Sequence, residues 1–258
     1  MFTYTYPEFH KGRILKTRML EDLRDFPRQF WELYYRDYAD GIVSGAEVEV
    51  HAERLSVSPG ILLHERRLYM MTEPAEIAYK ATGQETVLKL RFTELETGHD
   101  LSLGQTSLAL EDAASGSGSH EMELARFKLK EGARLRKDYQ SFADLATEYN
   151  TLQVLQVPYA APGASTLPPA VLQDYAQRLM RTGTPDPHDV MFAMLCMNEG
   201  VITRSVILHY IANRLGQEYR DYPSLQIHRY LDRILSNARG GQGHKGQAHG
   251  GMQRMLVE

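Results

Sequence analysis

Cysteine is almost absent from this chain. Cys196 stands alone, so no intramolecular disulfide framework can hold the fold together. That composition suits a reducing cytoplasm or a particle built there. Long hydrophobic runs are missing as well. No stretch approaches eighteen consecutive apolar residues, which speaks against a membrane-spanning helix. The opening MFTYTYPEFHKGRILKTR has basic residues but no apolar segment behind them, so it does not read as a secretory signal. Neither sign of charge is in large excess. A formal net charge of -4 gives no general pull toward nucleic acid or an anionic membrane. Tryptophan occurs once against 15 tyrosines. Tyrosine has an apolar ring and a wet edge, which suits it to interfaces.

Catalytic motifs are also missing. No H-E-x-x-H occurs, and a single cysteine cannot make a Cys/His metal set. No G-x-S-x-G elbow is present. The segment DGIVSG has two glycines four apart, yet a strand pattern follows it and the G-K-[ST] ending is absent. A phosphate loop needs backbone N–H groups at a helix start, so Gly41 and Gly45 read as structural turns. The ten histidines are scattered. His64 and Glu65 fall at an expected hairpin tip and read as a solvated turn. His244 and His249 lie in a glycine-rich end. Cys196, on a methionine-rich helical face, reads as a small core hydrophobe. Glu94 and Glu96 share the wet face of a strand. The expectation is a non-enzymatic protein with no cofactor, no metal and no small-molecule substrate.

What is present is ordinary globular material. The 258 residues are 43% hydrophobic and 24% charged, enough to bury a core without staples. In RMLEDLRDFPRQFWELYYRDY, Met19, Leu20, Leu23, Phe26, Phe30 and Tyr34 recur at three- and four-residue steps. Pro27 interrupts that stripe, so two short helices or one kinked near Phe26 are expected. From Ile42 the period becomes two, with Ala46, Val48 and Val50 against Glu47, Glu49 and His51. In SPGI, Pro59 presets the second turn position and Gly60 is expected to supply positive φ at the third. ILLHERRLYMM reads as a hairpin. EIAYKA, TVLKLRFTEL, DLSLGQTSLALED and EMELARFKLKEG continue the strand pattern. Leu88, Leu90 and Phe92 are expected on one face, with Lys89 and Arg91 on the other. Strands at this spacing suggest an antiparallel sandwich or barrel.

Helical periodicity returns after residue 140. SFADLATEYN is a short helix candidate capped by Ser141. LQVPYAAPGASTLPP reads as a linker. Four helices follow. They are lined by Leu172, Tyr175 and Leu179; by Val190, Met191, Met194 and Leu195; by Ile207, Leu208, Ile211 and Leu215; and by Ile227, Leu231, Ile234 and Leu235. Asp186 or Asp189 starts the second. Short connections favour a small bundle. The expected class is α+β. Residues 1–39 form a helical arm, 40–140 an antiparallel β-domain, 141–167 a short helix and linker, 168–238 a bundle, and 239–258 a glycine-rich tail.

YYRDYADGIVSGAEVEV, followed by LSVSPGILLHERRLYMM, resembles a module of baseplate and tail-fibre-attachment proteins from phage tails and phage-like, tailocin-type contractile particles. The residues that match are Asp40, Gly41, Ile42, Gly45, Val57, Pro59, Gly60, Ile61 and Tyr69. The resemblance covers about residues 10 to 95 and departs at the hairpin tip, where HERR replaces the usual glycine. It implies a structural subunit of a tail baseplate, with other baseplate or tail proteins as partners and a homo-oligomeric state within the assembly. It implies assembly in the bacterial cytoplasm and then residence in the particle. Phe26, Phe30, Trp31, Tyr34 and Tyr35 are the candidate contact residues, with Met255 and Leu256 as an apolar anchor in the tail. Two other readings stay open. One is a DNA-binding or regulatory protein using Arg204 and Arg214 of the C-terminal helices. The other is a small-molecule enzyme with a dispersed site.

Overall fold

The computed structural model describes residues 1–98, 102–116 and 118–240. The glycine-rich tail from residue 241, with Met255, Leu256, His244 and His249, lies outside the described residues. The chain is α+β. Among the described residues α1 (Thr17–Tyr34) is followed by eleven strands and then by four α-helices. The strands are β1 (Gly41–Gly45), β2 (Val48–Val50), β3 (Arg54–Val57), β4 (Gly60–His64), β5 (Arg67–Met71), β6 (Ala75–Ala78), β7 (Glu85–Phe92), β8 (Glu96–Thr97), β9 (Ser102–Leu103), β10 (Thr106–Asp112) and β11 (Glu121–Lys128). The helices are α2 (Pro169–Arg181), α3 (Pro187–Asn198), α4 (Arg204–Leu215) and α5 (Ser224–Gly240).

Among the described residues three antiparallel three-stranded sheets, in the orders β1-β4-β5, β2-β3-β6 and β10-β7-β11, and a two-stranded β8-β9 pair make the β part. Among the described residues no sheet closes on itself, so the barrel alternative is not what forms. The strands on either side of TGQE do not pair with each other. β6 adds to β3, whereas β7 is central between β10 and β11. The inner faces share one core, in which Ile42, Leu55, Leu88, Leu124, Phe127 and Leu152 are nearly inaccessible.

β7 also corrects the expected division of its faces. Lys89 is buried, not wet. Its Nζ reaches Glu121 at 2.9 Å and Glu111 at 3.2 Å, and donates to the Gly116 carbonyl. Both acids come from the flanking strands, so the charge is desolvated only because partners close around it.

The helical part has its own core, in which Tyr175, Phe192, Ile207, Ile227 and Leu231 are buried. Asp186 caps α3 by accepting from the His188 N–H at 2.9 Å. Asp189 is not the start but a buried group. It accepts from Tyr210 at 2.8 Å, from Thr184 at 2.8 Å and from Arg214 at 2.6 Å. Burial first, then the neighbouring Tyr175 hydroxyl and this carboxylate, raise the Tyr210 hydroxyl far above its ordinary pKa. Burial alone is the main cause that pushes the Cys196 thiol up to about 12, which keeps it protonated and unreactive.

The expected lining of α3 is rotated. Phe192, Ala193 and Cys196 face the core, and Met191 and Met194 are exposed. A helix apolar on all sides gives periodicity no face to choose. The SFADLATEYN segment forms a 3₁₀ turn over Ala143–Ala146 preceded by Phe142, without a Ser141 side-chain cap. The proline-rich stretch that follows is packed between the two cores. Leu152 and Val157 join the β core, and Leu155 and Leu167 join the helical one. Its composition prevents regular structure but does not prevent burial. Among the described residues, no helix is long and apolar enough to cross a membrane.

Candidate interaction surface

The arm is one helix of 18 residues that continues through Pro27. Proline's fixed φ suits a helix. It costs one hydrogen bond and a local clash that bending relieves, so a break is not obligatory. None of the helix residues is buried. Leu20, Leu23, Phe26, Phe30, Leu33 and Tyr34 are 48% to 70% exposed and lie at three- and four-residue steps. The opposite side carries charges, with Arg28 pairing to Glu32 at 2.9 Å. This amphipathic pattern would face a core in most helices, and here it faces solvent.

The base of the arm is held firmly. Tyr34, Tyr35 and Tyr38 form a cluster of edge-on and stacked rings, with centroids 4.9 to 6.2 Å apart. Desolvation, with a smaller contribution from Tyr34, raises the pKa of Tyr35 and Tyr38. Trp31 and Tyr35 are half-buried. With Leu63 and Arg66 of the β4–β5 hairpin they line a cleft of about 240 Å³. The backbone is tied as well. Ala39 donates to Ala161 at 3.0 Å and Gly163 donates to Asp37 at 2.9 Å. A fixed base thus presents a free apolar stripe.

The turn residues of the module meet in space. β1 pairs antiparallel with β4, and Gly45 stands directly opposite Gly60. Gly45 has φ +63°, and a Cβ there would overlap the Pro59 carbonyl oxygen. Gly60 corrects its expected role. Its φ is not positive, and it opens β4 instead of completing a turn. A glycine is needed there because a side chain would collide with the backbone of Ser44 and Ala46. At Gly41 a Cβ would come within 2.6 Å of the Ala160 nitrogen, so the close approach of the Pro158–Ala160 backbone excludes one. Asp40 closes the unit. Its Oδ2 accepts from the Glu65 N–H at 3.0 Å and lies 3.0 Å from His64 Nδ1. Sequence reasoning grouped Asp40 with the glycines, but nothing local pointed to its hold on the hairpin tip.

The hairpin itself is as expected, with Glu65 and Arg66 at its tip. Both have left-handed φ, +46° and +60°, the conformation of a tight two-residue turn. His64 is not a solvated tip residue. It is buried and stacked on Phe92, with ring centroids 3.8 Å apart.

Other openings exist. One cavity of about 640 Å³ is lined by Leu62, Tyr69, Met71, Leu90, Leu103 and Leu108, among others. A groove of about 270 Å³ runs between α3 and α4 beside Met191, Leu195, Val206 and His209. The two arginines of the nucleic-acid reading are engaged within the chain. Arg204 pairs with Asp221 at 2.7 Å, and Arg214 pairs with Asp189 at 2.6 Å.

No protein-family model matches the chain, and no curated protein matches it. Among solved structures the chain is similar to a crystal structure of TssK. The identity is 10% and the TM-score 0.40, over 91% of this chain and 68% of that one. It is also similar to a chain in the cryo-electron microscopy structure of the type VI secretion system TssK-TssF-TssG baseplate subcomplex. There the identity is 11% and the TM-score 0.42, over 92% of this chain and 100% of that one. Likenesses at this level do not place the chain in a family.

Proposed function

We propose that this chain is a structural, non-enzymatic subunit of the baseplate of a phage-like contractile tail. It would join other baseplate proteins, and further copies of itself, through the arm. One observation carries the reading: α1 is amphipathic, none of its residues is buried, and its base is anchored. A stripe of this kind marks an interaction site. The resemblance of the Asp40–Gly45 and Pro59–Gly60 segments to tail-baseplate modules supplies the kind of assembly. In this reading residues 1–39 dock, residues 40–140 give a rigid body, and the helices of residues 168–238 meet further neighbours. Assembly takes place in the bacterial cytoplasm, and the subunit then stays in the particle.

The test is co-expression with the tail proteins encoded beside this chain. The expected result is a stable complex that Phe26→Asp with Phe30→Asp abolishes, while the variant chain keeps its own fold. A chain that stays monomeric and joins none of those proteins would overturn the proposal.

A further inference from the structure

We propose that the tip of the β4–β5 hairpin and the start of β11 form a binding site for one divalent transition-metal ion, zinc foremost, held by His64, Glu65 and His120. One ligand atom from each residue lies within 4.8 Å of the other two. Glu65 Oε1 and His120 Nδ1 are already 3.8 Å apart. His64 ends β4 in the sheet of β1, β4 and β5, and Glu65 follows it in the hairpin turn. His120 immediately precedes β11 in the sheet of β10, β7 and β11. A bound ion would therefore tie two sheets together.

His64 is the decisive group. It is 5% exposed, and its Nε2 is buried without a hydrogen-bond partner. A buried polar atom left unpaired calls for a reason. Its other nitrogen, Nδ1, lies 3.0 Å from Asp40 Oδ2. With the proton on Nδ1, the nitrogen beside that carboxylate, the lone pair sits on Nε2. A carboxylate holding one nitrogen while the other binds metal is the usual support of a ligating histidine. Asp40 also accepts from the Glu65 N–H, so one carboxylate orients two of the three ligands.

The donor set chooses the ion. Two imidazoles and a carboxylate suit zinc, with water completing four positions. Calcium and magnesium prefer oxygen alone. Metal–ligand lengths near 2.0–2.1 Å would bring the ligand atoms to roughly 3.4 Å of each other. Glu65 and His120 have side chains 49% and 57% exposed, so both can turn inward without disturbing the core. Arg67 Nη1 lies 3.5 Å from Glu65 Oε2, while the other oxygen, Oε1, is the one nearer His120.

The test uses the full chain, stripped with a chelator and titrated with zinc chloride by calorimetry. Cobalt(II) absorption reports the coordination geometry. The proposal expects one zinc per chain and a higher melting temperature on binding. His120→Ala and Glu65→Gln should each weaken binding by about tenfold or more. Asp40→Asn, which leaves the ligands but loosens their orientation, should weaken it by about 10- to 100-fold. His51→Ala, an exposed histidine outside the cluster, should bind as the parent does. Matching circular dichroism in chelator shows that the variants are folded. The proposal fails if the parent binds no zinc, or if His120→Ala and Glu65→Gln bind it as tightly and gain the same thermal shift.

Discussion

Helices α1 and α5 are 18 and 17 residues long and carry similar apolar stripes, yet their fates are opposite. In α5, Ile227, Leu231, Ile234 and Leu235 are at most 1% exposed. In α1 no residue is buried. Periodicity alone states that a helix has an apolar face. It does not state whether the surface that covers this face belongs to the same chain. The difference separates a helix that holds the fold from one that is offered to a partner.

The largest effect should come from the polar group at the centre of the covered bundle. Asp189→Ala removes the buried acceptor shared by Arg214, Tyr210 and Thr184, leaving Arg214 with Asp186 and Tyr210 with Tyr175, and should cost about 3–5 kcal/mol in urea unfolding. Next comes a direct contrast of the two stripes. Leu231→Ala should cost about 2–5 kcal/mol. Phe30→Ala should change the isolated chain by no more than about 0.5 kcal/mol. A comparable loss from both would erase the distinction between them.

A smaller effect concerns pH. His228 is buried against Phe142, and its Nε2–H donates to the Phe142 carbonyl at 2.8 Å. Desolvation, outweighing that hydrogen bond, lowers its pKa below the ordinary value. Below about pH 6.5 the unfolded chain therefore binds more protons than the folded one. The bundle should lose stability as pH falls from about 6.5 toward the folded-state value, and keep its full contribution above about pH 6.5. His228→Gln should flatten that slope in melting curves recorded across the range, whereas arm substitutions should leave it unchanged.

The smallest global effect belongs to Pro27→Ala. Proline is about 3 kcal/mol less favourable than alanine inside a helix. The substitution should raise helicity by circular dichroism and slow amide exchange in α1. The main unfolding transition should stay in place, because no α1 residue contributes to a core.

The sequence made the strands and helices legible wherever one face was clearly apolar. Of the turn module only Gly45 has the left-handed φ that a turn residue would need; Gly41 opens β1 in extended backbone. The sequence was silent where a partner came from far along the chain. Lys89 looked like a wet-face residue because Glu111 and Glu121, which neutralise it, lie on neighbouring strands. Gly60 looked like a turn residue because its true constraint, the backbone of Ser44 and Ala46, is set by pairing. His64 looked solvated because neither Phe92 nor His120 is near it in sequence. Met191 and Met194 were placed inside because α3 is apolar all round. For the arm, the stripe was visible but its exposure was not.

Amide hydrogen exchange across α1, measured in the isolated chain and in the assembled particle, tests the central claim most directly. The account predicts fast exchange over Thr17–Tyr34 in the isolated chain and strong protection after assembly, with the exchange of α5 unchanged between the two. Equal exchange of α1 in both states would contradict it.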